Sequence, residues 1–222
     1  SIQNKCTYKM KLLIISLSLV LNTSLVFGYS NGSDTSKPFV LGRIEKLYSK
    51  VLGEERTLNI YLPDDYNQAD AVKYPVIYLL DGSADEDFIH IAGLVQFCSF
   101  EWVKQVPKSI VVGIANVDRR RDFTFPSSIQ GDKLANPTSG HSDKFIKFLE
   151  TELLPQVENK FKTSGHRTLI GESLGGLLAT EILLKNATLF NKYIIVSPSL
   201  WWDDGSLLTL KSAIYTPAFN RP

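Results

Sequence analysis

Cysteine, methionine and histidine are all scarce in this 222-residue chain, at two, one and three residues. Cys6 lies ahead of a leader-like segment, which leaves Cys98 alone in the expected mature chain and excludes an internal disulfide framework. Cys98 closes the apolar stretch Leu94-Val95-Gln96-Phe97-Cys98 and reads as a packing residue. No Cys/His cluster has metal-ligand spacing, so neither a metal nor another cofactor is expected. A surplus of one charge is missing too: 24 basic residues face 23 acidic ones, net +1, which argues against nucleic acid or an anionic membrane surface as partner. Long apolar runs are limited to Leu12 to Phe27, which is shorter than the roughly 20 residues needed to span a bilayer and is broken by Ser16, Ser18, Asn22, Thr23 and Ser24. With Met10-Lys11 in front and Gly28 behind, residues 1–28 read as a secretory signal, residues 1–9 preceding the presumed start at Met10. The expectation is therefore a secreted or periplasmic protein with no stable membrane insertion after cleavage.

What is present suits one globular domain with a full core: 44% of residues are hydrophobic. A polar linker, 29–40, precedes a domain spanning 41–222. Arg43 to Tyr48 and Arg56 to Leu62 read as early strands, the second half-exposed by its alternation, together forming an antiparallel edge. Val76 to Leu80, Ile110 to Ala115, Thr168 to Ile170 and Tyr193 to Val196 are continuous apolar runs, as expected of strands covered on both faces. Helices are predicted between them over Asp85 to Phe100, Ser142 to Phe161 and Leu174 to Lys185, with Pro155 either kinking the second or beginning another. This alternation predicts an α/β fold with a mostly parallel sheet, helices on both faces and an antiparallel N-terminal edge. Ligands in such sheets bind beyond the carboxyl ends of the strands, where Ser173 and Asp81-Gly82-Ser83 fall.

Gly171-Glu172-Ser173-Leu174-Gly175 is the strongest local signal. A serine between glycines, after an apolar strand and before a small-residue helix, is a nucleophile elbow, the competing reading being an ordinary Gly-rich turn. The sharp turn strains the serine and brings backbones together where side chains would clash. Ser173 is the candidate nucleophile and the N–H of Leu174, at the helix start, a candidate oxyanion donor. Arg119-Arg120-Arg121 is either a solvated loop or a site for an anionic substrate, with Arg121 the candidate contact. Trp201 and Trp202 follow a strand end and are candidate substrate platforms, or one of them is packing. His90, His141 and His166 all precede Ser173, whereas serine hydrolases with this elbow take an acid and then a histidine from positions after it. Asp203 and Asp204, which follow the next strand after Ser173, are candidates for that acid. Asn31-Gly32-Ser33 and Asn186-Ala187-Thr188 match glycosylation acceptors.

Tyr74-Pro75-Val76-Ile77-Tyr78-Leu79-Leu80-Asp81-Gly82, Asn116-Val117-Asp118-Arg119-Arg120-Arg121-Asp122-Phe123-Thr124, the elbow extended to Gly176, and Ser197-Pro198-Ser199-Leu200-Trp201-Trp202 occur in this order. Over residues 43 to 205 this resembles the putative esterase family of α/β-hydrolases, which holds esterase D, enterochelin (siderophore) esterases and feruloyl esterases. The resemblance implies an α/β-hydrolase-like fold and ester hydrolysis through an acyl-enzyme on Ser173. It also implies the N–H of Ser83 as second oxyanion donor, with Gly82 allowing close approach beside the substrate, and a small-molecule ester as partner. Two departures stand out. Glu172 replaces the histidine that many members carry, and the last strands, with the triad acid and histidine, are expected to be missing from 41–222. A catalytically inactive binding protein of the same fold is the alternative. No feature of the pattern sets an oligomeric state.

Overall fold

β-Branched and aromatic residues make up most of three of the six strands, Tyr74–Leu79, Ile110–Ile114 and Lys192–Val196, of the computed structural model, which describes residues 36–210. The expected leader, the first part of the linker and the tail after Leu210 lie outside the described residues. The strands are β1 (Arg43–Ser49), β2 (Glu54–Tyr61), β3 (Tyr74–Leu79), β4 (Ile110–Ile114), β5 (Thr163–Glu172) and β6 (Lys192–Val196). They form one sheet in the order β1-β2-β4-β3-β5-β6. β1/β2 and β2/β4 are antiparallel, and the remaining pairs are parallel. The mostly parallel sheet with its antiparallel N-terminal edge agrees with the reading from sequence.

β2 departs from expectation: it lies between β1 and β4, and Leu58, Asn59, Ile60 and Tyr61 are all buried. Alternation in its sequence separates two covered faces rather than a covered and a wet one. β6 departs in the opposite sense. Its apolar run predicts cover on both faces, yet β6 pairs with β5 alone among the described residues, and Ile194 and Val196 are 49% and 43% exposed.

Helices cover both faces. On one, Val76, Tyr78, Ile110 and Val112 pack with Phe145, Phe148, Leu149, Leu178 and Ile182. On the other, Tyr61 and Val111 meet Phe88, Ala92 and Val95 of α1 (Phe88–Cys98). Full burial of each large apolar side chain contributes about 1.5–3 kcal/mol. The long helical segment is α4 (Ser142–Phe148), a π-type turn over Leu149–Leu153, and α5 (Leu154–Lys160). Pro155 sits in the first turn of α5, where its missing N–H is tolerated, and the widened turn just before it absorbs the break in the hydrogen-bond ladder. Two short helices, α2 (Arg119–Phe123) and α3 (Gln130–Ala135), precede this segment. α6 (Leu174–Lys185) follows β5 directly, and a 3-10 segment runs over Trp202–Thr209. Among the described residues no helix is long and apolar enough to cross a membrane.

Candidate active site

β5 ends at Glu172 and α6 begins at Leu174, so one residue makes the turn. That residue is Ser173, at φ 54° and ψ −113°, a left-handed conformation that costs a non-glycine residue about 1–3 kcal/mol. Its neighbours explain how the turn closes. A Cβ on Gly171 would overlap the Gly175 carbonyl, and one on Gly176 would sit 3.0 Å from Pro198 Cα and 3.1 Å from the Val196 carbonyl oxygen. The Ser173 amide donates to Val196 O at 3.0 Å, and the Ser173 carbonyl accepts from the amides of Leu177 and Ser199, both at 2.9 Å. Ser173 Oγ lies 3.2 Å from Ser199 Oγ. The Leu174 N–H belongs to the first turn of α6, where backbone donors have no intrahelical acceptor and the helix dipole favours negative charge.

Ser173 faces a cavity of about 480 Å³ lined by Asp81, Glu86, Asp87, Arg119, Glu172 and Ser173. The loop after β3 thus meets the elbow, as expected for two strand ends of one parallel sheet. Within that loop the Ser83 N–H is directed at Glu86 Oε2 over a long 3.4 Å. Gly82 belongs elsewhere. Its amide donates to Ile114 O, its carbonyl accepts from Asn59 Nδ2 at 2.7 Å, and a Cβ there would overlap the Gly113 backbone. Gly82 permits close packing between the ends of β3 and β4, and its backbone polar groups are spent there rather than on a substrate.

The arginine at the cleft is Arg119, not Arg121. Nε and Nη2 of Arg119 bind the two oxygens of Asp81 at 2.5 and 2.9 Å, and Nη2 also reaches Glu172 O at 3.3 Å. The Asp81 carboxylate pushes the Arg119 pKa further up. Arg121 instead grips Glu54, at 3.0 and 2.5 Å, and Asp122, at 2.8 Å. Those acids also bind the fully buried Arg56. Two positions along a helix turn a side chain by roughly 200°, so Arg119 and Arg121 face opposite ways on α2. That periodicity was the available signal for separating them.

Trp202 is also corrected: it is 1% exposed, its Nε1 donates to Phe125 O at 2.9 Å, and it packs with Leu177 and Leu207. A buried indole with its one donor satisfied is a core residue. Trp201, 64% exposed, retains a free face. Asp203 anchors a turn, since Ser127, Ser128 and Ser206 all bind its carboxylate, while Asp204 is exposed. His90, His141 and His166 are exposed, and no histidine among the described residues lines the Ser173 cavity. Among the described residues no group of three or more His, Cys, Asp or Glu could hold a metal. The residues that the sequence reading missed are Arg119 as the cleft cation, Asn116, which donates to Asp81 at 2.7 Å, and Ser199.

Comparison with known proteins follows the same lines. The family model described as "Putative esterase" matches residues 49–219. The ferri-bacillibactin esterase BesA of Bacillus subtilis is 30% identical over 192 residues, covering 81% of this chain and 66% of that protein. The chain therefore spans just under two thirds of that relative's length. Among solved structures, the IroE-like serine hydrolase from Shewanella oneidensis is 39% identical, with a TM-score of 0.68 over 76% of this chain and 54% of that one. The BES protein from Bacillus cereus is 34% identical, with a TM-score of 0.67 over 80% and 70%. The fold is accordingly α/β-hydrolase-like.

Proposed function

The chain belongs to the putative esterase family, of the enterochelin-esterase-like type, and on that premise we propose that it is a serine hydrolase of carboxylic esters acting through Ser173. The observation that carries the proposal is the strained serine at a one-residue strand-to-helix turn, opening on a cavity at the carboxyl end of the sheet. Ser173 Oγ attacks the ester carbonyl carbon as its proton passes to a base, and the alcohol leaves with a proton. Water then hydrolyses the acyl-enzyme. The Leu174 N–H stabilises the tetrahedral oxyanion, and the Ser83 N–H joins it by exchanging its long bond to Glu86 for the substrate oxygen. Each such donor is worth about 10²–10³ in rate.

The name of the Bacillus subtilis relative supports a siderophore-type ester as substrate. Trp201, two residues beyond Ser199, offers an exposed aromatic face to a flat acyl group. Arg119 replaces Arg121 as the cation beside the ester. Export through the leader belongs to the same proposal. A second reading, a binding protein of this fold without turnover, is favoured by one observation: no histidine among the described residues lines the Ser173 cavity.

The deciding experiment treats the protein with a fluorophosphonate and, separately, with nitrophenyl and catecholate-siderophore esters, beside a Ser173→Ala control. Labelling and hydrolysis that both vanish in the control establish the hydrolase. Siderophore binding with neither labelling nor turnover establishes the binder.

A further inference from the structure

Ser199 is 5% exposed, and the partner of its hydroxyl is Ser173 Oγ at 3.2 Å. Its backbone is fixed on both sides. The Ser199 amide donates to Ser173 O at 2.9 Å, and its carbonyl accepts from the Trp202 amide at 3.1 Å. The chain arrives there through Ser197, held at φ 41°, and through Pro198, which packs on the bare Cα of Gly176. A side chain of one carbon and one oxygen on so constrained a backbone has few places to put its hydroxyl. It is placed on the reacting atom.

We infer that Ser199 is a positioning residue for Ser173: its hydroxyl donates to Ser173 Oγ, fixing that side chain's rotamer and leaving the Ser173 O–H free to pass to a base. The inference rests on Ser173 being the nucleophile. Negative charge gathers on Oγ as the proton leaves, and a hydrogen bond to an oxygen gaining charge strengthens. The contact therefore favours the transition state over the bound ester, and its loss lowers kcat more than it changes KM.

The test compares wild type, Ser199→Ala and Ser199→Thr. Ser199→Ala removes one oxygen and keeps the amide contact, and Ser199→Thr restores a hydroxyl. The expected result is about tenfold slower fluorophosphonate labelling of Ser173 in Ser199→Ala, the scale of one ordinary hydrogen bond, with partial recovery in Ser199→Thr. In the crystal structure of Ser199→Ala, Ser173 Oγ is expected to spread over two rotamers. A single unchanged rotamer in Ser199→Ala overturns the inference, whatever the labelling rates show. A wild type that is not labelled overturns the assignment of Ser173 as nucleophile, while the rotamer comparison still decides the part played by Ser199.

Discussion

Arg119 holds Asp81 by both carboxylate oxygens, and with the same Nη2 it touches the carbonyl of Glu172, the residue before Ser173. Asp81 is itself buried at φ 54°, so one guanidinium ties a strained loop to a strained elbow. Arg119→Leu leaves Asp81 with Asn116 as its remaining side-chain donor. The guanidinium is about a third exposed, so the loss is discounted for solvent screening and set at about 1–2 kcal/mol. Urea unfolding measures it. Arg119→Lys should lose most of the same stability, because a single ammonium cannot reproduce the two-pronged contact.

The two adjacent tryptophans should respond in opposite ways. Trp202→Ala removes a buried ring and leaves Phe125 O without its donor, a loss of about 3–5 kcal/mol. Trp201→Ala should stay within about 0.5 kcal/mol of wild type. Equal losses in chemical denaturation would contradict the placement of Trp202 in the core.

Gly176→Ala sets two effects against each other. Helix propensity alone predicts a gain of about 1 kcal/mol in α6. The new methyl, however, lands 3.0 Å from Pro198 Cα and 3.1 Å from Val196 O, backbone that cannot yield without disturbing the contacts of Ser173. Overpacking of this kind costs about 1–3 kcal/mol, so net destabilisation is expected. A raised thermal midpoint would show that the elbow is not tightly closed.

Asp203 should make part of the stability acid-sensitive. The bond from Ser206, followed by those from Ser128 and Ser127, outweighs burial and holds its carboxyl at about 2, below the ordinary 3.8. A carboxylate depressed on folding stabilises at pH values above its unfolded pKa, and that stabilisation disappears as pH falls from about 4 to about 2. The stability difference between wild type and Asp203→Asn, measured by urea unfolding at successive pH values, should be largest near pH 6 and shrink below pH 4.

The elbow was legible because its logic is local: Gly171 through Gly176 carry the turn, the strain and the helix start in six consecutive residues. The strands were legible as apolar runs, and the crossovers between them fixed the parallel core. Gly82 was legible as a glycine needed for close approach, yet its neighbour is Gly113, thirty-one positions away, and not a substrate. The Arg119–Arg121 run was legible as a feature, but not which arginine meets the cleft. That choice depends on the orientation of α2 against Glu54 and Asp81, acids from two other parts of the chain.

Residue order alone determined the α/β alternation, the direction of most of the sheet and the position of the strained serine, since each follows from side-chain periodicity or from steric demands within a few bonds. Tertiary structure decided which arginine lines the cavity at that serine, Arg119 rather than Arg121, and that Ser199 lies against its hydroxyl; it also decided which tryptophan keeps a free face, Trp201 rather than Trp202. The physical reason is that burial and hydrogen bonding depend on distances in space. Segments far apart in the chain set those distances only when the sheet register brings the ends of β3, β4, β5 and β6 together.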